Sequence, residues 1–288
     1  MKTDKDVKRD EEIKFLYKYY SPKKHNFDAV RDGEFFFSKV SKLNDPFDAS
    51  FKLIEPYTKF IEKVICTSDP KEQQKRREKA KELMENYGTC SFSENKDNKH
   101  LWALYADTYK GFVIGYDKNT LDKMTTHIHS YCHLHKIDYR EELLDLENIN
   151  AEFTFKDETL SIKDCDDFHS AEQLFEYLCF CKEAKIWKAE NEWRLFVGKN
   201  INTAKSVKSN KDGYFIPFPK EAVKSIIVGH NMEEEHWPYI CAIAREYGIR
   251  TIYQTRPTTE NKQWEIIIEE RPFFDCNHCL AKTTDKSN

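Results

Sequence analysis

Polar and apolar residues alternate along "IKFLYKYY" (13–20), and "EFFFSKV" (34–40) and "KGFVIGYD" (110–117) are short, aromatic-rich and β-branched. A period of two puts successive side chains on opposite faces of an extended chain, so these segments predict strands. "TCSFS", "YFIPFP", "VKSIIVG" and "EIIIEE" predict further strands, and "HIHSYCHLHKIDY" (127–139) reads as another. Helical spacing appears elsewhere. "SPKKHNFDAVRDG" is a turn and short helix punctuated by Gly33, and "NKDNKHLWALYAD" predicts a short helix capped by Asn98. "SAEQLFEYLCFCKEAKIW" repeats apolar residues at Leu174, Tyr177, Leu178 and Cys181, the stripe of an amphipathic helix. "EEHWPYICAIAREYG" predicts a helix ended by Gly248, and residues 58–87 predict a long charged helix ended by Gly88. "LLDLENINAEFTFKDETLSIKD" fits neither period. Strands interleaved irregularly with helices predict an α+β fold of mixed, mainly antiparallel strands. The expected layout is a frayed start over 1–12, one domain over 13–272 and a tail over 273–288.

Composition narrows the class. Aromatics make up 14% of the 288 residues, far more than a disordered chain carries, so most of the chain is expected to fold. Basic and acidic residues nearly cancel, 46 against 50, so no global charge draws the chain to nucleic acid or lipid. The charged start and the lack of any ~20-residue apolar run predict a soluble cytoplasmic protein with no membrane partner. Nine cysteines spread from Cys66 to Cys279 read as mostly reduced and buried.

The chemistry concentrates in "KIWKAENEWRLFVG" (185–198). Read as a strand, "ENEWRLFV" puts Trp193, Leu195 and Val197 on one face and Glu190, Glu192, Arg194 and Phe196 on the other. Two carboxylates and a guanidinium then line up at the strand's N-terminal end, flanked by Trp187 and Trp193. The ordinary reading is a strand edge whose Glu192 and Arg194 satisfy each other. "FFFSKVSKLNDPFD" adds Ser38 at a strand end and a turn at Asn44, Asp45 and Pro46; a structural Asx turn is its ordinary reading. Trp102 and Tyr105 lie three apart, an aromatic pair that usually belongs to a core. The histidines of 127–135 and the Cys276–Cys279 pair lack zinc-site spacing, and glutamates interrupt the basic run at 75–81, so neither predicts a metal or a phosphate backbone. Walker and dinucleotide glycine motifs are absent.

These blocks, in this order, resemble the bacterial domain-of-unknown-function family 2971 over roughly residues 13 to 270. That layout is similar in turn to the DarT-like ADP-ribosyltransferases and the tRNA 2'-phosphotransferases. The resemblance implies a split sheet and an enzyme that uses NAD as substrate, without metal. Its acceptor would be a nucleic acid or a protein, its role that of a toxin or anti-phage effector, with a possible regulatory partner. Carried over by position, Glu192 would be the catalytic glutamate and Glu190 an accessory acid. Ser38 would be the middle-strand cofactor contact, and Tyr17 or Lys18 the first-strand contact, where those families place a His or Arg. A carboxylate on the ribose hydroxyl would stabilise the positive charge that develops as the nicotinamide bond breaks. One alternative is a non-catalytic nucleotide-binding or sensor module, binding around Trp102, Tyr105 and Asn44. Another is a phosphoryl-transfer enzyme gathering Mg²⁺ on Asp45, Asp48, Glu190 and Glu192.

Overall fold

The computed structural model describes residues 12–43, 45, 48, 69–72, 74, 75, 78, 87–127, 132–146, 148, 150–155, 158–164, 168–198, 207–259 and 264–272. Asn44, most of the helix expected over 58–87, His129 and the Cys276–Cys279 pair lie outside the described residues.

The strands are β1 (Phe15–Tyr20), β2 (Glu34–Lys39), β3 (Gly88–Ser93), β4 (Phe112–Asp117), β5 (Cys132–Lys136), β6 (Asp138–Arg140), β7 (Glu152–Phe155) and β8 (Glu158–Ser161). They continue as β9 (Cys181–Glu183), β10 (Glu192–Val197), β11 (Lys208–Ser209), β12 (Gly213–Pro217), β13 (Val223–Val228), β14 (Thr251–Thr258) and β15 (Glu265–Pro272). Between them lie helices α1 (Lys24–Arg31), α2 (Lys99–Leu104), α3 (Lys118–His127), α4 (Phe168–Leu178), α5 (Ala184–Trp187) and α6 (Trp237–Glu246). The fold is α+β, with a large, mainly antiparallel sheet in which β13 and β14 pair in parallel.

The chain divides into two compact units. One comprises residues 1–7, 37–90 and 128–215, the other 8–36, 91–127 and 216–288. In the second unit β1 pairs with β4 along its whole length, β4 with β13, β13 with β14, and β14 with β15. The alternation read from "IKFLYKYY" governs the two faces. Leu16 and Tyr20 are buried on one side with Phe112, Ile114 and Tyr116. There Phe27 of α1 stacks on Phe112 at 4.8 Å and on Tyr239 of α6 at 5.0 Å. The other face carries Tyr17, Tyr19, Val113, Ile227 and Tyr253, in register across four strands.

In the first unit β10 pairs with β5, β6 runs parallel to β9, and β7 and β8 form a hairpin in the segment that fitted neither period. Its core gathers Phe153, Phe155, Leu174, Phe175, Tyr177, Leu178, Phe180 and Phe196. Three expectations are corrected here. Helix α4 ends at Leu178, so Cys181 sits on strand β9 rather than on the helical stripe. The strand expected to run on to Tyr139 breaks at Ile137, whose N–H donates to Glu192 O at 2.9 Å. His127, expected to open that strand, instead closes helix α3, which Asp117 caps through the N–H and hydroxyl of Thr120 at 2.8 and 2.7 Å. Cys90, Cys132, Cys179 and Cys181 are free and buried, whereas Cys241 is disulfide-bonded. Among the described residues no helix is long and apolar enough to cross a membrane.

Candidate functional sites

The first unit holds a buried cluster of charges. Strand β10 begins at Glu192, not Glu190. Glu190 closes a 3-10 turn over Lys188–Glu190, and Asn191 reverses the chain in the left-handed region at φ 43°. The turn aims Glu190 and Glu192 at one lysine of β9, a strand that pairs with β6 in a separate two-stranded sheet. Lys182 Nζ donates to Glu190 Oε2 at 2.7 Å and to Glu192 Oε2 at 3.0 Å, and lies 4.0 Å from Asp48. The Trp187 ring stands 4.5 Å from the same ammonium. Arg194 completes the cluster with all five of its N–H donors. Nε donates to Glu192 Oε1 at 2.7 Å, Nη1 to Asp48 Oδ1 at 2.7 Å and to Cys179 O at 2.8 Å. Nη2 donates to Asp48 Oδ2 and, at 3.1 Å, to Glu192 Oε2. The Glu192 N–H donates to Tyr139 Oη at 2.8 Å. Asp48, Lys182, Glu190, Glu192 and Arg194 are all buried.

Desolvating five charges costs several kcal/mol per ion, which the ion pairs and hydrogen bonds among them offset. Burial raises the Glu190 carboxyl above its ordinary value, with Lys182 pulling the other way. Burial also works against the Lys182 charge, but Glu192 and Glu190 outweigh it and hold the ammonium firmly protonated. Glu190 therefore binds its proton more tightly folded than unfolded. Its contribution to stability is present in full below the unfolded value and is lost as pH rises through the raised folded value. Urea midpoints for the wild type and Glu190→Gln, taken from pH 4 to pH 8, should diverge over that window, with the wild type losing more stability. Parallel curves would mean that Glu190 titrates normally.

Both oxygens of Glu192 are occupied by cations in this arrangement. Catalysis on a sugar hydroxyl would require one of those bonds to open. Ser38, also in this unit, is half-buried, and its Oγ donates to Lys39 O at 3.4 Å.

The second unit holds an aromatic surface. Helix α2 is six residues long and cannot persist alone. Its start is fixed by Asn98 Oδ1, which accepts from His100 N and Leu101 N at 2.9 and 3.2 Å, the cap expected from sequence. That cap presents Trp102 to the sheet, fully buried, with its Nε1 donating to Lys96 O at 3.0 Å. Tyr19 meets the indole edge-on at 5.5 Å. Tyr109 lies flat on it, also at 5.5 Å and 6° from parallel. Asp107, Thr108 and Tyr109 have φ of 46°, 52° and 65°, three successive non-glycine residues in the left-handed region. A β-branched residue such as Thr108 is disfavoured there, and such strain persists only where surroundings impose it. They do so here. Asn231 N donates to Tyr109 O and Asn231 Nδ2 to Thr108 O, each at 3.1 Å.

His230 packs on the outer side of this arrangement, 4.6 Å from the Tyr109 ring. Its backbone N–H donates to Thr255 Oγ1 at 2.9 Å, and its Nδ1 lies 3.0 Å from the same hydroxyl. The hydroxyl proton is then free to meet Nδ1, which favours the tautomer with the proton on Nε2. Burial lowers the His230 pKa, so the ring is neutral at pH 7. Burial raises the phenols of Tyr17 and Tyr109, which remain donors.

Of the residues singled out from sequence, Glu190 and Glu192 meet in the first cluster, and Tyr17 and Trp102 in the second unit's aromatic group. Tyr17 and Lys18 point to opposite faces of β1, and Lys18 Nζ donates to Ser91 O at 3.1 Å on the helix-covered side. Tyr105 is the half-buried C-cap residue of α2, and the ring stacked on Trp102 is Tyr109. Sequence reasoning passed over Lys182, Tyr109 and His230. His135, in the histidine run that lacked zinc-site spacing, packs edge-on against Phe155 and Phe180.

The fold and these two sites define an α+β protein with a buried ionic cluster in one unit and a half-exposed aromatic surface in the other. Residues 101–195 match the model of a family described as a protein of unknown function, DUF2971. That span runs from Leu101 in helix α2 to Leu195 in strand β10, and contains Trp102, Tyr109, Lys182, Glu190, Glu192 and Arg194. No curated protein and no solved structure matches the chain.

Proposed function

We propose that this protein is a binding module for a planar, nucleotide-like ligand, recognised on the aromatic surface around Tyr109. The observation that carries this reading is the strained Asp107–Tyr109 turn, which holds a half-buried ring flat on buried Trp102 beside neutral His230. Preorganised rings favour a planar heterocycle, and the phenols and imidazole offer hydrogen bonds to its edge. The Asp97 carboxylate acts on both Tyr17 and Tyr19, so this face suits a neutral ring better than a bare phosphate. Titration calorimetry with NAD, ATP and adenosine should show saturable binding of at least one. Tyr109→Ala should then weaken it roughly 5- to 150-fold, the span of one base–aromatic stack. Absence of saturable binding by all three would sink the proposal.

A second reading, ADP-ribosyl transfer from NAD to a nucleic acid or protein, is favoured by the place of Glu192 at the head of strand β10, with Glu190 beside it. It requires the Lys182 and Arg194 bonds to Glu192 to rearrange when NAD binds. Incubation with NAD labelled in the adenylate moiety, plus cell lysate, separates the readings. Label transferred by the wild type and not by Glu192→Gln assigns the chemistry to Glu192. Saturable NAD binding without transfer or nicotinamide release leaves the binding module.

A further inference from the structure

The first unit contains a pocket of ≈ 230 Å³ between the loop after β6, the end of α4 and strand β9. Leu143, Leu144, Leu178 and Cys181 make its apolar walls. A cavity of about 150 Å³ is enough for a benzene ring, so this one accommodates a ring with a short chain.

Its charges point to one kind of occupant. Two cations line it, and both are engaged elsewhere. Lys182 has its ammonium bound to Glu190 and Glu192. Arg140 donates to the Tyr177 hydroxyl and lies 6.0 Å from that ring. The remaining charged groups are Glu141, Glu142 and Glu183, which make no ion pair among the described residues. The pocket thus combines an apolar interior with three carboxylates against one cation, Arg140, whose guanidinium meets a neutral phenol, so its lining is net negative. A ligand carboxylate would meet repulsion there, and an uncharged one would leave the glutamates to water. The Cys181 thiol contributes no nucleophile, since burial pushes its pKa up to about 12.

We propose that this pocket binds a small amphipathic amine, its apolar body against Leu143, Leu144 and Leu178 and its ammonium at Glu142 and Glu183. The proposal rests on neither the aromatic surface nor any activity at Glu192, although Lys182 both lines this pocket and bonds Glu192.

The test uses the full chain at pH 7 with three probes of one shape: 2-phenylethylamine, 2-phenylethanol and 3-phenylpropanoate. Methyl NMR shifts of Leu143, Leu144 and Leu178 report the site. The amine is expected to bind saturably, the alcohol roughly tenfold more weakly and the carboxylate not at all. Glu142→Gln with Glu183→Gln, both at the rim, should bring the amine down to the level of the alcohol. Leu144→Trp should fill the pocket and abolish binding. A capped Lys-Leu dipeptide carries the same chemistry on a protein side chain. Weaker binding than the free amine supports the proposal, and tighter binding overturns it by assigning the pocket to a partner protein. Equal binding of the three probes, or amine binding untouched by both variants, also overturns it.

Discussion

Arg194→Leu is expected to destabilise the protein by about 3–5 kcal/mol, read as a fall in the urea midpoint at constant slope. The guanidinium is 1% exposed and spends every donor on Asp48, Glu192 and the carbonyl of Cys179. Leucine fills part of its volume but leaves three buried carboxylates, Asp48, Glu190 and Glu192, to share Lys182 as their cation, and the Cys179 carbonyl loses a donor. Arg194→Lys should recover only part of the loss. A lysine keeps the charge, but three donors on a single atom cannot span the fork that grips Asp48 and Glu192 together. A loss below about 1 kcal/mol for Arg194→Leu would show that the carboxylates rehydrate or protonate readily. The cluster would then be an open, exchangeable site, as the transferase reading requires.

Gly229→Ala is expected to cost roughly 3 kcal/mol, the upper end of what overpacking does. A Cβ there would stand 1.9 Å from Tyr109 O and 2.5 Å from Tyr109 C. These are backbone atoms of the strained turn, not the movable end of a side chain. Making room means displacing the turn, so ligand affinity should fall together with stability. Gly248→Ala is the matched control. Gly248 has φ +64° but nothing within 4 Å, so alanine there costs only about 1 kcal/mol of backbone preference and leaves binding unchanged. Equal effects at the two positions would show that the approach to Tyr109 is not a constraint.

These positions mark where sequence reasoning reached and where it stopped. Strand β1 was legible because its buried residues, Leu16 and Tyr20, fall on one face and a period of two survives in "LYKYY", whereas β4, buried on both faces over its first five residues, was legible from its aromatic and β-branched content. Strand β10 was legible as a strand, yet its burial was not, since all six residues are buried and Glu192 and Arg194 look polar in a one-dimensional pattern. The pairing foreseen between Glu192 and Arg194 is present, but the partners that complete it, Lys182 and Asp48, come from segments whose spacing to Glu192 carries no signal. Helix α3 is capped by a side chain and has no strong apolar stripe, so periodicity missed it. Tyr109 and His230 are 121 positions apart in the numbering, and only folding brings their rings together. The Asp-Thr-Tyr turn lacks the glycine that usually announces left-handed backbone. Backbone bonds from Thr108 N to Ala103 O and from Tyr109 N to Trp102 O hold it locally, and Asn231, from a distant part of the chain, adds bonds that no local rule can see.

The span between Asp48 and Arg194 also sets a schedule for the newborn chain. The two residues are 146 positions apart. At ribosomal speeds of 5–20 residues per second, Asp48 waits roughly 7–30 s for its guanidinium to be made. Until then the first unit lacks the charges that make its interior tolerable, and its early apolar segments stay exposed to chaperones and proteases. A stretch of slow codons placed between those two positions would lengthen that exposure and lower the yield of folded protein, without altering a single amino acid.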